Sequence, residues 1–153
     1  MSLRSDILAG LTTRLGLING TGSYLRTVTT IAYEAKDWSE VAGVLRDWIG
    51  IVPQAETFDD FSGHVKSTWA IDLVCHMTPS AATAAAVMQA CVDMMTDIRR
   101  ALMSGPNNLS VDGVHYVRIA RRGGTEADPA AVAQGVATNV VGIEVIFEEL
   151  VAA

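Results

Sequence analysis

The clearest pattern in the chain is a change of hydrophobic period between residues 65 and 103. Apolar residues first alternate with polar ones, which is typical of a half-buried β-strand. The alternating positions are Val65, Ser67, Trp69, Ile71, Leu73, Cys75 and Met77. Thr78 and Pro79 follow and suit the start of a helix. Apolar residues then recur every three or four positions as far as Met103, before Gly105 and Pro106 end the pattern. We therefore expect a long strand that leads into a long helix.

The whole pattern predicts an α+β fold in a single domain of residues 1–153. The other predicted elements are a helix at 5–17, a strand at 24–35, a short helix at 38–45, a short strand at 48–52, an acidic turn at 54–63, a strand at 114–120, a loop at 121–135 and a last strand at 141–147. We expect an antiparallel or mixed sheet of about 4–5 strands, packed by two main helices at residues 3–17 and 79–103.

The predicted long strand also suggests a projecting hairpin. Its 13 residues at about 3.3 Å each span roughly 43 Å, whereas a compact chain of this length is about 40 Å across. We therefore expect a long β-hairpin within residues 48–77 that projects beyond the body or bends around it. Such a hairpin can extend the sheet of a neighbouring subunit.

Composition indicates a protein that associates with itself. The chain is 50% hydrophobic, with a mean hydropathy of +0.29, and 18% charged, where about 25% charged is usual. This apolar excess indicates that a partner covers part of the surface. The longest uncharged span, residues 73–92, contains Pro79 and changes period, which argues against a transmembrane helix. The N-terminus lacks the apolar block of a signal peptide, so we expect synthesis in the cytoplasm.

The charge of the chain bears on nucleic acid. A formal net charge of −6 argues against a protein that holds nucleic acid by its phosphates, but not against one past which nucleic acid slides. Arg118, Arg121 and Arg122 form the basic cluster of the sequence. Contact with DNA is one interpretation of this cluster. Pairing with acidic residues of a neighbouring subunit is the interpretation that we favour.

No catalytic motif is apparent, and we expect no enzymatic activity, metal or cofactor. His64, His76 and His115 lack the spacing of a metal site, and we expect surface or edge-strand positions for them. Cys75 and Cys91 fall on predicted core faces, where burial makes a thiol inert.

Two further features each have two interpretations. Glu56, Asp59 and Asp60 form either a divalent-ion or acid–base site or a solvated turn, and we favour the turn. Trp48 borders a loop, where it is an interface anchor if exposed and a core residue if buried.

Several segments, taken in order, resemble one known family. They are Trp48-Ile49-Gly50-Ile51-Val52-Pro53 before the acidic turn, Trp69-Ala70-Ile71-Asp72-Leu73-Val74 in the long strand, Asp97-Ile98-Arg99-Arg100-Ala101-Leu102 at the end of the helix, Val117-Arg118-Ile119 ahead of Gly124-Thr125-Glu126, and Val141-Gly142-Ile143-Glu144-Val145-Ile146-Phe147 near the C-terminus. The pattern is similar to the lambda-type (gpU-like) tail terminators and related tail-completion proteins of tailed bacteriophages. The resemblance extends over about residues 3–150.

The resemblance implies a structural protein of the virion, at the junction of head and tail. Such proteins form a hexameric ring on the last ring of the tail tube, stop its polymerisation and offer a surface to the head–tail connector protein. The implied partners are thus further copies of the chain, the tail tube protein and the connector, while DNA passes through without specific binding. The expected contact residues are Trp48, Glu56, Asp59, Asp60, Arg118, Arg121, Arg122, Glu126 and Asp128.

Two other functions stay open at the level of sequence. One is a different part of the virion joint, such as a head-closure protein or another minor tail or neck protein. The other is a small cytoplasmic ligand-binding or enzyme domain with an apolar composition.

Overall fold

A computed structural model of the chain describes residues 2–36, 40, 47–105, 109–121 and 129–150. In this part of the chain the helices are α1 (Leu3–Leu15), α2 (Ala84–Met103) and α3 (Pro129–Ala133). The strands are β1 (Thr30–Ala32), β2 (Asp47–Phe61), β3 (His64–Met77), β4 (Val114–Arg121) and β5 (Ala137–Leu150). They form one sheet in the order β1-β2-β3-β5-β4, in which β1 is parallel to β2 and the other pairs are antiparallel. The expected α+β fold with a mixed sheet is confirmed.

Helices α1 and α2 cover one face of the sheet, which we call the inner face. In β3 every second side chain from Ser67 to Met77 is buried, as the period-two pattern predicted. The core between the helices and the sheet includes Ile7, Leu11, Leu15, Ile49, Ile51, Ile71, Leu73, Val87, Met94, Ile98, Val141, Ile143, Val145 and Phe147. The hydrophobic period of each element thus determines which side chains enter this core.

Helix α2 begins later than the sequence predicted. Thr83, rather than Thr78, is the N-cap, and its side chain accepts a hydrogen bond from the Ala86 N–H at 3.2 Å. The Thr78 N–H donates instead to the Asp47 carboxylate at 3.2 Å. Residue 78 is thus bound at the end of the sheet, and the capping side chain that starts the helix is that of Thr83. None of the described helices is long and apolar enough to cross a membrane.

Strand β2 is longer than predicted and includes the acidic segment. Pro53 does not end the strand, which runs on to Phe61, and only residues 62–63 form the turn. The Asp47 carbonyl accepts a hydrogen bond from the Thr29 N–H at 2.9 Å and therefore points away from β3. Since alternate residues of a strand point the same way, Pro53 also points away from β3. Its missing N–H therefore costs no bond between these strands.

The hairpin of β2 and β3 is long, but it does not leave the sheet as a free two-stranded arm. β5 pairs with β3 along its whole length, and Leu150 lies opposite His64. We call this end of the sheet, next to the turn at 62–63, the tip end. The opposite end, where Asp47 faces Met77, is the base end. Three strands, rather than two, therefore reach the tip end.

Several other predicted elements differ in length from those observed. The segment at 24–35 has strand geometry only in β1, the part that pairs with β2. β4 reaches Arg121, and α3 occupies part of the predicted loop at 121–135. β5 begins at Ala137, ahead of the predicted start at residue 141. The helix predicted at 38–45 lies outside the described residues, apart from position 40.

The second, outer face of the sheet is covered at the base end. Trp48 packs there against Ala131 of α3 and against Val136. A Cβ atom on Gly50 would lie 2.0 Å from the Glu34 carbonyl oxygen and 2.6 Å from the Trp48 ring. The chain before β2 therefore passes so close to this face that only glycine fits at position 50.

Candidate functional site

The expected contact residues lie on two separate strands of the sheet. Glu56, Asp59 and Asp60 lie on β2, whereas Arg118 and Arg121 lie on β4. β3 and β5 separate these two strands. The sheet thus has an acidic segment on β2 and a basic strand at the opposite edge. Three further candidates lie outside the described residues: Arg122, Glu126 and Asp128.

Trp48 is a core residue and not an exposed interface anchor. Only 1% of its surface is exposed, and its ring centroid lies 5.5 Å from that of His76. His76 is buried as well, with its ring nitrogens 2.9 Å from Thr138 Oγ1 and 2.5 Å from the Lys36 carbonyl oxygen. The surface or edge position expected for His76 is wrong, because β3 is a central strand and the chain covers its outer face here.

Glu56 is held by helix α1. Arg4 donates from Nε and Nη2 to its two carboxylate oxygens, at 3.1 and 2.9 Å, and Arg4 Nη1 lies 3.0 Å from Glu149 Oε1. The guanidinium carbon lies 5.3 Å from the centroid of the Phe147 ring. The hydrogen bond to Glu56 raises the pKa of Arg4 above its ordinary value. Glu56 therefore links strand β2 to helix α1 near the tip end.

Asp59 and Asp60 are exposed on β2 near the tip end, on a strand and not in a turn. Asp59 lies opposite Lys66 of β3. Two large apolar side chains are exposed at the same end of the sheet: Phe58, at 63%, and Leu150, at 78%. The tip end of β2 thus presents an exposed apolar side chain, Phe58, beside the exposed carboxylates of Asp59 and Asp60.

At the tip end, Glu148 links two histidines. Its Oε1 lies 3.5 Å from His64 Nδ1, and its Oε2 lies 3.0 Å from His115 Nε2. Both imidazoles are partly exposed, and an open cavity of about 290 Å³ adjoins them. Within the described ranges, no group of three or more His, Cys, Asp or Glu side chains is arranged to hold a metal ion.

Arg118 lies on the outer face and is half-exposed. Its Nε donates to Glu144 Oε1 on the adjacent strand β5 at 2.7 Å. This hydrogen bond raises the pKa of Arg118 above its ordinary value. A guanidinium has five N–H donors, so Arg118 can bind Glu144 and a partner at the same time.

A buried network of charges at the base end was missed at the level of sequence. Asp97 of α2 is 0% exposed, and its carboxylate accepts hydrogen bonds from the N–H groups of Leu25 and Arg26, at 3.0 and 2.7 Å. The Arg26 guanidinium donates to both carboxylate oxygens of the buried Asp47, at 2.9 and 2.8 Å. The network fastens the segment between α1 and β1 to helix α2 and to strand β2.

Helix spacing contained the signal for this network. Asp97 follows Met94 by three residues and precedes Ala101 by four, which places it on the apolar stripe of α2 rather than beside it. A carboxylate on such a stripe needs several hydrogen-bond donors to be buried. The backbone N–H groups of the loop after α1 supply them.

Cys75 and Cys91 are free thiols, and both are buried on the predicted core faces. Burial raises the pKa of each thiol above its ordinary value. A thiol that stays protonated at neutral pH is a poor nucleophile. Their chemistry is therefore that of small apolar side chains.

Two strand edges of the sheet lack a partner among the described residues. β1 pairs only with residues 48–50 of β2, which leaves the rest of that side of β2 open. β4 pairs with β5 on one side alone. We call residues 51–61 the β2 edge and residues 114–121 the β4 edge. An open edge presents backbone donors and acceptors that can pair with another strand.

The candidate site thus consists of two open strand edges on opposite sides of the sheet, one with an acidic and one with a basic segment. Phe58 lies on the β2 edge, and Leu150 is exposed at the same end of the sheet. The function proposed for this surface is drawn from the residues and the fold of the chain itself. Neither a scan of known protein families nor a search of curated proteins finds a match to this chain.

Proposed function

We propose that the chain is a ring-forming tail terminator of a tailed bacteriophage, which caps the tail tube and joins it to the head. The observation that carries the proposal is the order of elements, together with the motifs that they bear. A helix and a short strand precede the long hairpin, and a long helix and two strands follow it, all in one sheet with both main helices on one face. This order is similar to that of lambda-type tail terminators.

Capping requires a ring with two unlike faces. One face has to match the end of the tail tube. The other has to differ from a tube subunit, so that no further ring adds and the connector protein can bind. Within the ring each subunit contacts two neighbours through different surfaces. The β2 edge and the β4 edge lie on opposite sides of the sheet and suit such an arrangement.

The charge of the chain supports a role around a DNA channel. Each copy carries a formal charge of −6, so six copies carry −36. An acidic assembly repels the phosphates of DNA, which favours passage without binding. The action proposed here is mechanical and needs no catalytic residue of this chain.

Tail length, measured by electron microscopy in particles assembled without this protein, tests the proposal. We expect tubes much longer than normal with no heads attached, and we expect the normal length to return when the chain is supplied from a plasmid. Tubes of normal length beside unattached heads would indicate a head-closure or neck protein instead. Intact, infectious particles would overturn the proposal.

Native mass spectrometry gives a second test. A hexamer of the 16.3 kDa chain has a mass of about 98 kDa. A stable dimer that retains a small molecule would favour the ligand-binding or enzyme domain.

A further inference from the structure

We infer that copies of this chain join head to tail, with the β4 edge of one copy paired antiparallel to the β2 edge of the next. The inference rests on the proposed function, from which it takes a ring as the assembly, and it names the contact that builds that ring. It follows from the direction of backbone groups at the two edges, from the strand directions, from the register across the sheet and from charge.

On the β2 edge, the direction of the backbone groups follows from two contacts. The Thr29 N–H donates to the Asp47 carbonyl, so odd-numbered residues as far as Pro53 point away from β3. Pro53 lies opposite Ile71, whereas Glu56 lies opposite Trp69, so the bulge between Pro53 and Glu56 adds one residue to β2. Beyond the bulge, the even-numbered residues of β2 therefore point away from β3. The residues beyond the bulge whose backbone groups face the open edge are Glu56, Phe58 and Asp60.

On the β4 edge, a hydrogen bond near the turn sets the direction. The Glu148 N–H donates to the Gly113 carbonyl at 2.9 Å, so even-numbered residues of β5 point toward β4. Tyr116 lies opposite Ile146 and therefore points toward β5. Val117, the next residue, presents its N–H and C=O to the open edge.

The two edges match in the orientation of the sheet faces. The side chain of Val117 is buried on the inner face, and that of Glu56 contacts Arg4 on the same face. Residues directly opposite each other in an antiparallel pair have their side chains on one face. If Val117 of one copy pairs with Glu56 of the next, the sheet continues without reversal of its faces.

Strand direction and register also fit this pairing. β2, β3, β5 and β4 are successively antiparallel, so β4 runs opposite to β2, and copies in the same orientation form an antiparallel pair. One row of the sheet links the two edges: Glu56 lies opposite Trp69, Trp69 opposite Val145, and Val145 opposite Val117. The two edges thus lie at the same height along the strands, so the contact can repeat from copy to copy without a shift along the strand direction. A head-to-tail contact of this kind forms a ring when the rotation between successive copies closes.

Charge favours this contact over the pairing of two identical edges. Residues 51–61 contain Glu56, Asp59 and Asp60 and no Lys or Arg, whereas residues 114–121 contain His115, Arg118 and Arg121 and no Asp or Glu. Segments of opposite charge attract, and segments of like charge repel. A β2 edge next to a β4 edge brings an acidic and a basic segment together, whereas two β2 edges in a symmetric dimer bring two acidic segments together. The β4 edge of another copy is therefore the occupant that suits the β2 edge.

Cysteine cross-linking tests the contact directly. Thr57 and Tyr116 are exposed, lie in one row on the outer face and point their backbone groups into their own sheets. Opposed residues of this kind have Cα atoms about 4.5 Å apart, within the range of a disulfide. On oxidation, the Thr57→Cys/Tyr116→Cys double variant should form a ladder of multiples of 16.3 kDa that ends at a closed ring.

Matched controls make the cross-link specific to head-to-tail pairing. Neither single variant should form cross-links, because in head-to-tail pairing an edge never contacts the same edge of another copy. The Asp59→Cys/Tyr116→Cys double variant tests the same pairing of edges with the register shifted by two residues. Dimers from Thr57→Cys alone would indicate pairing of two β2 edges and overturn the inference. The absence of any ladder from both double variants would also overturn it.

A proline substitution gives an independent measurement. The Phe58 N–H points to the open edge, so Phe58→Pro removes a donor that the open edge offers to another strand and removes no bond between β2 and β3. We expect self-association, measured by analytical ultracentrifugation, to be at least about tenfold weaker than in the matched Phe58→Ala variant. Equal association of the two variants would contradict edge pairing.

The tail-length experiment separates this inference from the proposed function. If the double variant forms the cross-linked ladder but particles without the protein have tails of normal length, the edge contact is supported and tail termination is overturned. Long tubes in the absence of the protein, combined with no ladder, would support tail termination and overturn the edge contact.

Discussion

The base end and the tip end of the sheet are stabilised in different ways. At the base end both faces are covered, by helices on the inner face and by the packing around Trp48 on the outer face. The carboxylates there, Asp47 and Asp97, are buried and bound by several donors. At the tip end the ion pairs, such as Arg4 with Glu56, are partly exposed. The charged groups of the base end are buried in the fold, whereas those of the tip end remain partly accessible to solvent.

Burial, and not residue type, accounts for this difference. Asp97 and Asp59 have the same side chain, but the first is enclosed by backbone N–H groups and the second faces solvent. Substitutions at the base end should therefore lower stability, and substitutions at the tip end should mainly change association.

The Asp97→Ala variant should lose about 3 kcal/mol of unfolding free energy. The substitution leaves the N–H groups of Leu25 and Arg26 without their buried acceptor. Urea unfolding followed by circular dichroism measures the loss, and Asp97→Asn, which keeps one acceptor oxygen, should lose less. A loss below about 1 kcal/mol would contradict a structural role for this carboxylate.

Arg26→Ala and Asp47→Ala should each cost about 2–3 kcal/mol, because each leaves a buried charge unpaired. In a double-mutant cycle, the double variant should lose about 1–2 kcal/mol less than the sum of the two single losses. The same denaturation measurement applies. Additive losses would show that the two side chains do not act as a pair.

Stability should fall as the pH rises above about 9. Burial raises the pKa of Cys75 above its ordinary 9.0, and Cys91 is shifted in the same direction. Above pH 9 the unfolded chain loses thiol protons that the folded chain keeps, so the stabilisation is complete below pH 9 and declines above it. Each thiol contributes at most about 1.4 kcal/mol per pH unit.

A Cys75→Ala/Cys91→Ala variant serves as the control for this pH dependence. Its unfolding free energy should decline less steeply between pH 9 and 10 than that of the unsubstituted chain. The unsubstituted native protein should also resist alkylation at pH 8. Rapid alkylation under those conditions would show that the base end is open to solvent.

Arg4→Ala should lose only about 1 kcal/mol. The Arg4 side chain is 40% exposed, so water weakens its pairing with Glu56 and Glu149, although its contact with the Phe147 ring adds to the total. Arg4→Lys retains the charge but not the bidentate hydrogen bond, so its unfolding free energy should lie between those of Arg4→Ala and the parent protein. A loss of about 3 kcal/mol would show that ion pairs at the tip end stabilise the fold as strongly as those at the base end, and would contradict the contrast between the two ends.

Asp59→Asn/Asp60→Asn should leave the unfolding free energy within about 0.5 kcal/mol of the parent, because both side chains face solvent. Self-association should nevertheless weaken by a few-fold and depend less on salt, as measured by sedimentation at two ionic strengths. If stability fell and association did not, the proposed division between the two ends would be wrong.

The class of the fold and its longest elements follow from local patterns of apolar and polar residues. The period of two in β3 and the period near 3.6 in α2 depend only on which side chains point to one side of an element, so they are visible without a structure. The same local patterns placed Cys75 and Cys91 on core faces. The acidic and basic segments were also visible as separate groups of residues.

The bounds of the elements and the burial of polar residues depend instead on contacts between distant parts of the chain. The strand can continue through Pro53, since the missing N–H faces an open edge. The Thr78 N–H binds Asp47 at the end of the sheet, and α2 starts at Ala84 after the Thr83 cap. Asp97 is buried because a distant loop supplies its hydrogen-bond donors. These outcomes depend on neighbours far apart in sequence. Strand order is equally non-local, and it places the acidic and basic segments on opposite sides of the sheet.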